Sequence, residues 1–159
     1  MSTCAITPYG SVDRMLDGLF VTPALTAITE ALTSTHATGP VVVIGNAKLA
    51  AALGAQREVI AVGLSPRAAK KLLTTLDDTS ALAAGSLAAV IGVDVTADER
   101  WDATLREWAR IVRDGGSVVM VDRGHAPEAS RRALCGGFTE IEQRCAGRIV
   151  VTSGLVTHL

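Results

Sequence analysis

Apolar residues in this chain follow two rhythms, one of helical period and one of short unbroken runs. Val12, Met15, Leu16 and Leu19 recur at helical spacing. Beyond Pro23 the series Leu25, Ile28, Leu32 repeats it, with Thr22 as the expected N-cap. Gly39 and Pro40 then stop the helix, and VVVIG at 41–45 predicts a strand covered on both faces. Lys48 to Leu53 predicts a brief helix ending at Gly54, and VIAVG at 59–63 a second buried strand. Ser65 and Pro66 form an N-cap and first-turn pair for a helix through Ala68 to Lys71. LLTTL, 72–76, extends that helix or makes a third short strand, and its threonine pair favours strand.

The same alternation continues. LAAVIGV at 87–93 is a buried strand, and Trp101, Leu105, Trp108 and Val112 form one helix stripe that stops before Asp114, Gly115 and Gly116. SVVMVD at 117–122 is another strand, and Pro127 to Leu134 a helix that runs out at Gly136 and Gly137. FTEIEQRC then alternates apolar with polar, and GRIVVTSGLV follows after Ala146-Gly147, which predicts an antiparallel hairpin on the sheet edge. Strand and helix in alternation imply an α/β fold with a mostly parallel sheet.

Composition narrows the classes. The 159 residues fit a single domain, with leading helices in 1–38 and an α/β core in 39–159. Hydrophobic residues are 48% and charged ones 19%, as in globular proteins. With 3% aromatics and a net charge of −1, the chain has neither stacking rings nor a basic surface for nucleic acid. No apolar run approaches the roughly 18 to 20 residues that span a bilayer, so no membrane partner and a cytoplasmic location are expected. Cys4, Cys135 and Cys145, like His36, His125 and His158, are too scattered for a disulfide framework or a metal site.

The words that carry a family resemblance lie mostly in the C-terminal half. WDATLREWARIVRDGGSVVMVD, GGFTEIEQR, and SPRAAKKL after VIAVGL resemble the class I S-adenosylmethionine-dependent methyltransferases, a Rossmann-like family. The resemblance spans about Gly39 to Val156. It implies a seven-stranded, mostly parallel sheet ending in an antiparallel hairpin, with the helix and strand after the second strand shortened. The 12 steps from Pro66 to Asp78 are about half the family's usual allowance.

The positions at which the family holds its cofactor read differently. An acid normally stands two places before the first glycine of the first turn, with glycines alternating after it. Here Val43, Gly45, Ala47 and Leu49 occupy those places. Glycine serves there because the backbone must approach the ligand without a Cβ, and a leucine either fills that space or turns into the core. The acid that accepts the ribose hydroxyls at the end of the second strand is replaced by Gly63, and the aspartate ahead of the fourth strand by Ala88. A third acidic position is represented by Asp78, although Asp77 and Asp78 also suit a turn or an N-cap. Asp94 and His125 lie at the strand ends where open α/β sheets bind ligands, and each is equally an ordinary loop residue.

Retained packing words with lost cofactor words point to a non-catalytic methyltransferase-like protein without a cofactor. Such a protein acts as a homo-oligomer, subunit or adaptor, and the hairpin Phe138 to Val156 and the leading helices are the expected surfaces. The alternative is an S-adenosylmethionine-dependent methyltransferase with a divergent pocket, acting on a small molecule or a protein. In it Gly45, Asn46, Lys48, Gly63 and Asp78 bind the cofactor, with Lys48 facing the methionine carboxylate. A Rossmann-like domain for another nucleotide is a third reading, and the incomplete glycine pattern counts against NAD in the same way.

Overall fold

A computed structural model describes residues 21–64 and 75–158. The expected helices at 12–19 and after Pro66 lie outside the described residues. Seven strands form one sheet in the order β3-β2-β1-β4-β5-β7-β6. They are β1 (Val41–Ile44), β2 (Val59–Val62), β3 (Thr75–Leu76), β4 (Leu87–Val93), β5 (Val112–Arg123), β6 (Thr139–Ala146) and β7 (Ile149–Leu155). The first five are parallel, and β7 runs antiparallel between β5 and β6.

Alternate strand residues feed two cores, as the period of two requires. Val41, Val43, Ile91, Val119, Val121 and Val151 point toward α1 (Val21–Ser34) and α2 (Ala47–Gly54). Val42, Val90, Val118 and Met120 point the other way, toward α3 (Trp101–Ile111) and α4 (Ala126–Cys135). Both faces of the central strands are therefore dry, which is why β1 and β4 read as unbroken apolar runs. On β4, Gly92 is required by the helix above it, since a Cβ there would lie 2.1 Å from Trp108 Cη2.

Two expectations are corrected. Thr22 lies within the helix Val21–Ser34 and is not its N-cap. Val112 is the first residue of β5, paired with Leu87, and not the last of the preceding helix. It is β-branched and fully buried, and residues 113–116 bulge out before pairing resumes at Ser117. The antiparallel hairpin closes one edge of the sheet as expected, with β7 paired to β5 and β6 outermost, and the β7 residues Ile149, Val150 and Val151 belong to the core. Helix α1 also contributes to the core through Ala24, Ile28, Ala31 and Leu32, all fully buried. The short strand at Thr75–Leu76 is present, as the threonine pair implies. No helix among the described residues is long and apolar enough to cross a membrane.

Candidate functional site

Parallel strands bring their C-terminal turns to one edge of the sheet, so residues far apart in sequence become neighbours there. Gly45 follows β1 and its N–H donates to Val62 O at 2.9 Å; Gly63 follows β2 and its N–H donates to Leu76 O at 3.2 Å. Asp77 and Asp78 follow β3, and Asp94 follows β4 with its N–H on Val121 O at 2.8 Å. Of the candidate cofactor residues, Gly45, Asn46, Lys48, Gly63 and Asp78 are all brought to this edge.

Their roles separate once the geometry is considered. Gly45 and Gly63 have φ of +77° and +72°, and a Cβ built on either meets nothing within 4 Å. Both turns use left-handed backbone, which glycine adopts without strain, and neither is crowded by the described residues. Asn46 is buried and caps α2, its Oδ1 accepting from Leu49 N at 2.9 Å. Leu49 is fully buried in one core cluster with Val43, Ile28 and Ala61, so its side chain has turned into the core. Lys48 is exposed on the first turn of α2.

Asp78 is exposed and caps the 3-10 turn Thr79–Ala81. One carboxylate oxygen accepts from the Ser80 hydroxyl and from Ser80 N, the latter at 2.8 Å. Those bonds hold its carboxyl below the usual range. Arg110 ties this segment to α3 by donating to Leu82 O at 3.0 Å and to Glu107 at 2.6 Å, and Thr79 Oγ1 donates to Glu107 at 3.0 Å. Asp78 is thus engaged in local structure, as a capping residue would be.

The residues do not supply the acidic ribose contact that the resemblance implies. Val43 is wholly buried in the α1/α2 core. Gly63 carries no side chain, and no acid occurs from Leu64 to Leu76. The second strand thus ends without the carboxylate that the resemblance implies.

A separate cleft of about 640 Å³ opens beyond β4 and β5 and the β6–β7 turn, lined by Asp94, Thr96, Arg123, His125, Glu128 and Arg148. Asp94 and His125 both sit in left-handed backbone, φ +57° and +60°, at the starts of the Val95–Ala97 turn and of α4. Arg123 Nε stands 3.8 Å from Asp94 Oδ1. Glu128 is held at a pKa of about 2 by its bonds to Arg131 and then Arg132. Beneath the cleft Asp122 is fully buried, with Oδ1 accepting from Thr96 N at 2.8 Å and Thr96 Oγ1 at 2.9 Å. Its Oδ2 has no partner among the described residues, and burial raises its pKa against the opposing effect of those bonds. Arg123, Arg148 and Asp122 were not candidates from sequence. An acid closing an otherwise apolar strand, VVMVD, is the one local signal for Asp122.

No protein-family profile and no curated protein matches the sequence. Solved structures do. A Haloferax volcanii assembly of the Trm112 methyltransferase activator with a chain described as a methyltransferase superposes with a TM-score of 0.74 at 15% identity, covering 96% of each chain. Burkholderia thailandensis 1,6-didemethyltoxoflavin-N1-methyltransferase, bound to its substrate and S-adenosylhomocysteine, gives 0.73 at 12%, covering 99% of this chain and 89% of that one. This chain has the class I S-adenosylmethionine-dependent methyltransferase fold. A T. thermophilus 16S rRNA N2 G1207 methyltransferase, in complex with AdoMet and guanosine, gives 0.59 at 18%, and this chain spans only 36% of that protein. In the methyltransferase fold the edge carrying Gly45 and Gly63 is the cofactor edge that the resemblance implies, and the same edge here combines open turns with missing acids.

Proposed function

We propose that the chain is a non-catalytic methyltransferase-fold protein of the cytoplasm that binds no cofactor and acts through contacts with protein, a second copy of itself included. The observation that carries this reading is Gly63. It stands where the ribose-binding acid is expected and has no side chain to accept the hydroxyls, and its φ of +72° is left-handed backbone that glycine adopts without strain. A charge-assisted hydrogen bond is worth roughly 1.5 to 3 kcal/mol, so losing one weakens binding about 10- to 150-fold. A protein contact is in keeping with the Haloferax volcanii neighbour, a methyltransferase found in complex with the Trm112 activator.

Melting the protein with S-adenosylmethionine or S-adenosylhomocysteine tests this. A ligand at 100 times its Kd stabilises by about 2.7 kcal/mol, several degrees for a domain of this size. No shift at millimolar ligand is expected, and a saturable shift overturns the reading.

A second reading, an S-adenosylmethionine-dependent methyltransferase with a divergent pocket, is favoured by Leu49. Its side chain is buried in the core, and no described residue crowds Gly45 or Gly63. In that case Gly45, Asn46, Lys48, Gly63 and Asp78 form the binding edge, and Lys48→Ala lowers the affinity that the melting experiment would detect.

A further inference from the structure

Among the described residues no strand lies beside the outer edge of β6. Edges of this kind are commonly protected by charge, and β6 carries Glu140, Glu142 and Arg144. The order of those charges has a second effect. Arg144 contacts Glu30 at 3.7 Å and Ser34 at 3.4 Å on α1, so Glu142 and Arg144, two apart, share the α1 face. Gln143 faces the other way and donates to Ala126 O at 2.7 Å on α4. Glu142 and Arg144 are bonded to each other at 2.9 Å, with side chains 59% and 22% exposed. Arg144 Nη1 is buried without an acceptor among the described residues, so the exposed partner on this edge is the Glu142 carboxylate.

Two copies of β6 can meet only antiparallel about a two-fold axis if they are to form a closed, symmetric pair. In an antiparallel ladder, opposed residues both direct their backbone groups at the partner or both away. For a strand pairing with itself, the axis must therefore pass through a residue. The register with β7 shifts between Thr139 and Glu142, so the regular part of the strand begins at Glu142. An axis through Glu142 sets two glutamates face to face and offers Arg144 only Glu140, which lies in the shifted segment at φ +50°, and one through Arg144 sets two arginines together. An axis through Cys145 opposes Arg144 to Ala146 and forms no ion pair. Centred on Gln143, the pairing opposes Glu142 to Arg144 twice, and Ile141 to Cys145. Opposed unlike charges stabilise a strand pair and like charges oppose it.

We propose that β6 pairs with β6 of a second copy of this chain in the register centred on Gln143, joining the two sheets into one. This deepens the interaction reading above by naming the partner and the edge. It is independent of whether the cofactor edge is empty, because the melting experiment with S-adenosylmethionine and the measurement below read different ends of the sheet.

Light scattering after size exclusion, over a range of concentrations, provides the test. The parent protein is expected to be a dimer. Glu142→Arg brings arginines against Arg144 and raises the dimer Kd by roughly tenfold or more. The double variant Glu142→Arg with Arg144→Glu restores the dimer, because it inverts both pairs without changing their match. Melting temperatures of the variants establish that each is folded. A parent protein that stays monomeric throughout, or a dimer indifferent to Glu142→Arg, overturns the proposal. A folded double variant that remains monomeric overturns the register.

Discussion

The backbone N–H of Leu49 donates to Asn46 Oδ1 at 2.9 Å, and this cap sets the first turn of α2, whose inward face carries the Leu49 side chain. Asn46 is buried, so its carbonyl has no water to exchange for this bond. Replacing it by alanine is expected to cost about 1 kcal/mol, within the usual range for a lost N-cap, while serine retains most of the effect. The midpoint of urea unfolding reads both.

Leu49 is core and not a plug in the cofactor space. Leu49→Ala should lose roughly 2 to 5 kcal/mol of stability through the cavity it leaves. It should gain no response to S-adenosylmethionine. A melting shift that appears only in this variant would mean that the leucine had been the obstacle.

Packing of α3 on the sheet depends on Gly92 lacking a side chain. A Cβ there would lie 2.1 Å from Trp108 Cη2 and 2.5 Å from Cζ2, so Gly92→Ala must push the indole aside. The expected loss is about 1 to 3 kcal/mol. Combining it with Trp108→Leu should cost less than the two single changes together, since the clash disappears with the ring. A double-mutant cycle in denaturant measures the difference.

Two carboxyls near the α4 end of the sheet give opposite pH dependences. Asp122 is raised above its ordinary 3.8 by burial. Its contribution to stability is full below the unfolded value and is lost as pH rises through the higher folded value. Glu128 is lowered from 4.5 to about 2 by Arg131 and Arg132, so its contribution is present above 4.5 and lost as pH falls toward 2. Unfolding midpoints between pH 2 and 7 should therefore lose one slope in Asp122→Asn and the other in Glu128→Gln. An unchanged profile in either variant removes that group from the account.

Much of the fold was legible because its strands are buried on both faces. VVVI and LAAVIGV are unbroken apolar runs with glycine or small residues at their ends, a pattern that only a covered strand requires. Helix α3 was legible through Leu105 and Trp108 on one face, although Val112 continued the stripe while belonging to the next strand. Periodicity cannot separate those states for one β-branched residue at a boundary. The hairpin and its place at the edge of the sheet were legible, and the order of its two strands was not. GRIVVTSGLV looks like an exposed apolar strand until β7 is seen between β5 and β6, where its hydrophobicity is that of any central strand.

The candidate edge was legible in its parts and not in its chemistry. Gly45, Gly63 and Asp78 are strand-end residues in the sequence as in the structure. Whether Leu49 obstructs the edge depends on one side-chain direction, and Arg123, Arg148 and Asp94 meet only because β4, β5 and the β6–β7 turn end side by side. The sequence by itself determined the strand-helix alternation, the missing acids at 43 and 63, and the charges along β6. These follow from local pattern and residue identity. Only the tertiary structure decided that Leu49 is core, that β7 is interior and that β6 is the free edge. Each depends on which elements pack together, and strand order and side-chain direction are set by long-range burial rather than by neighbours in the chain.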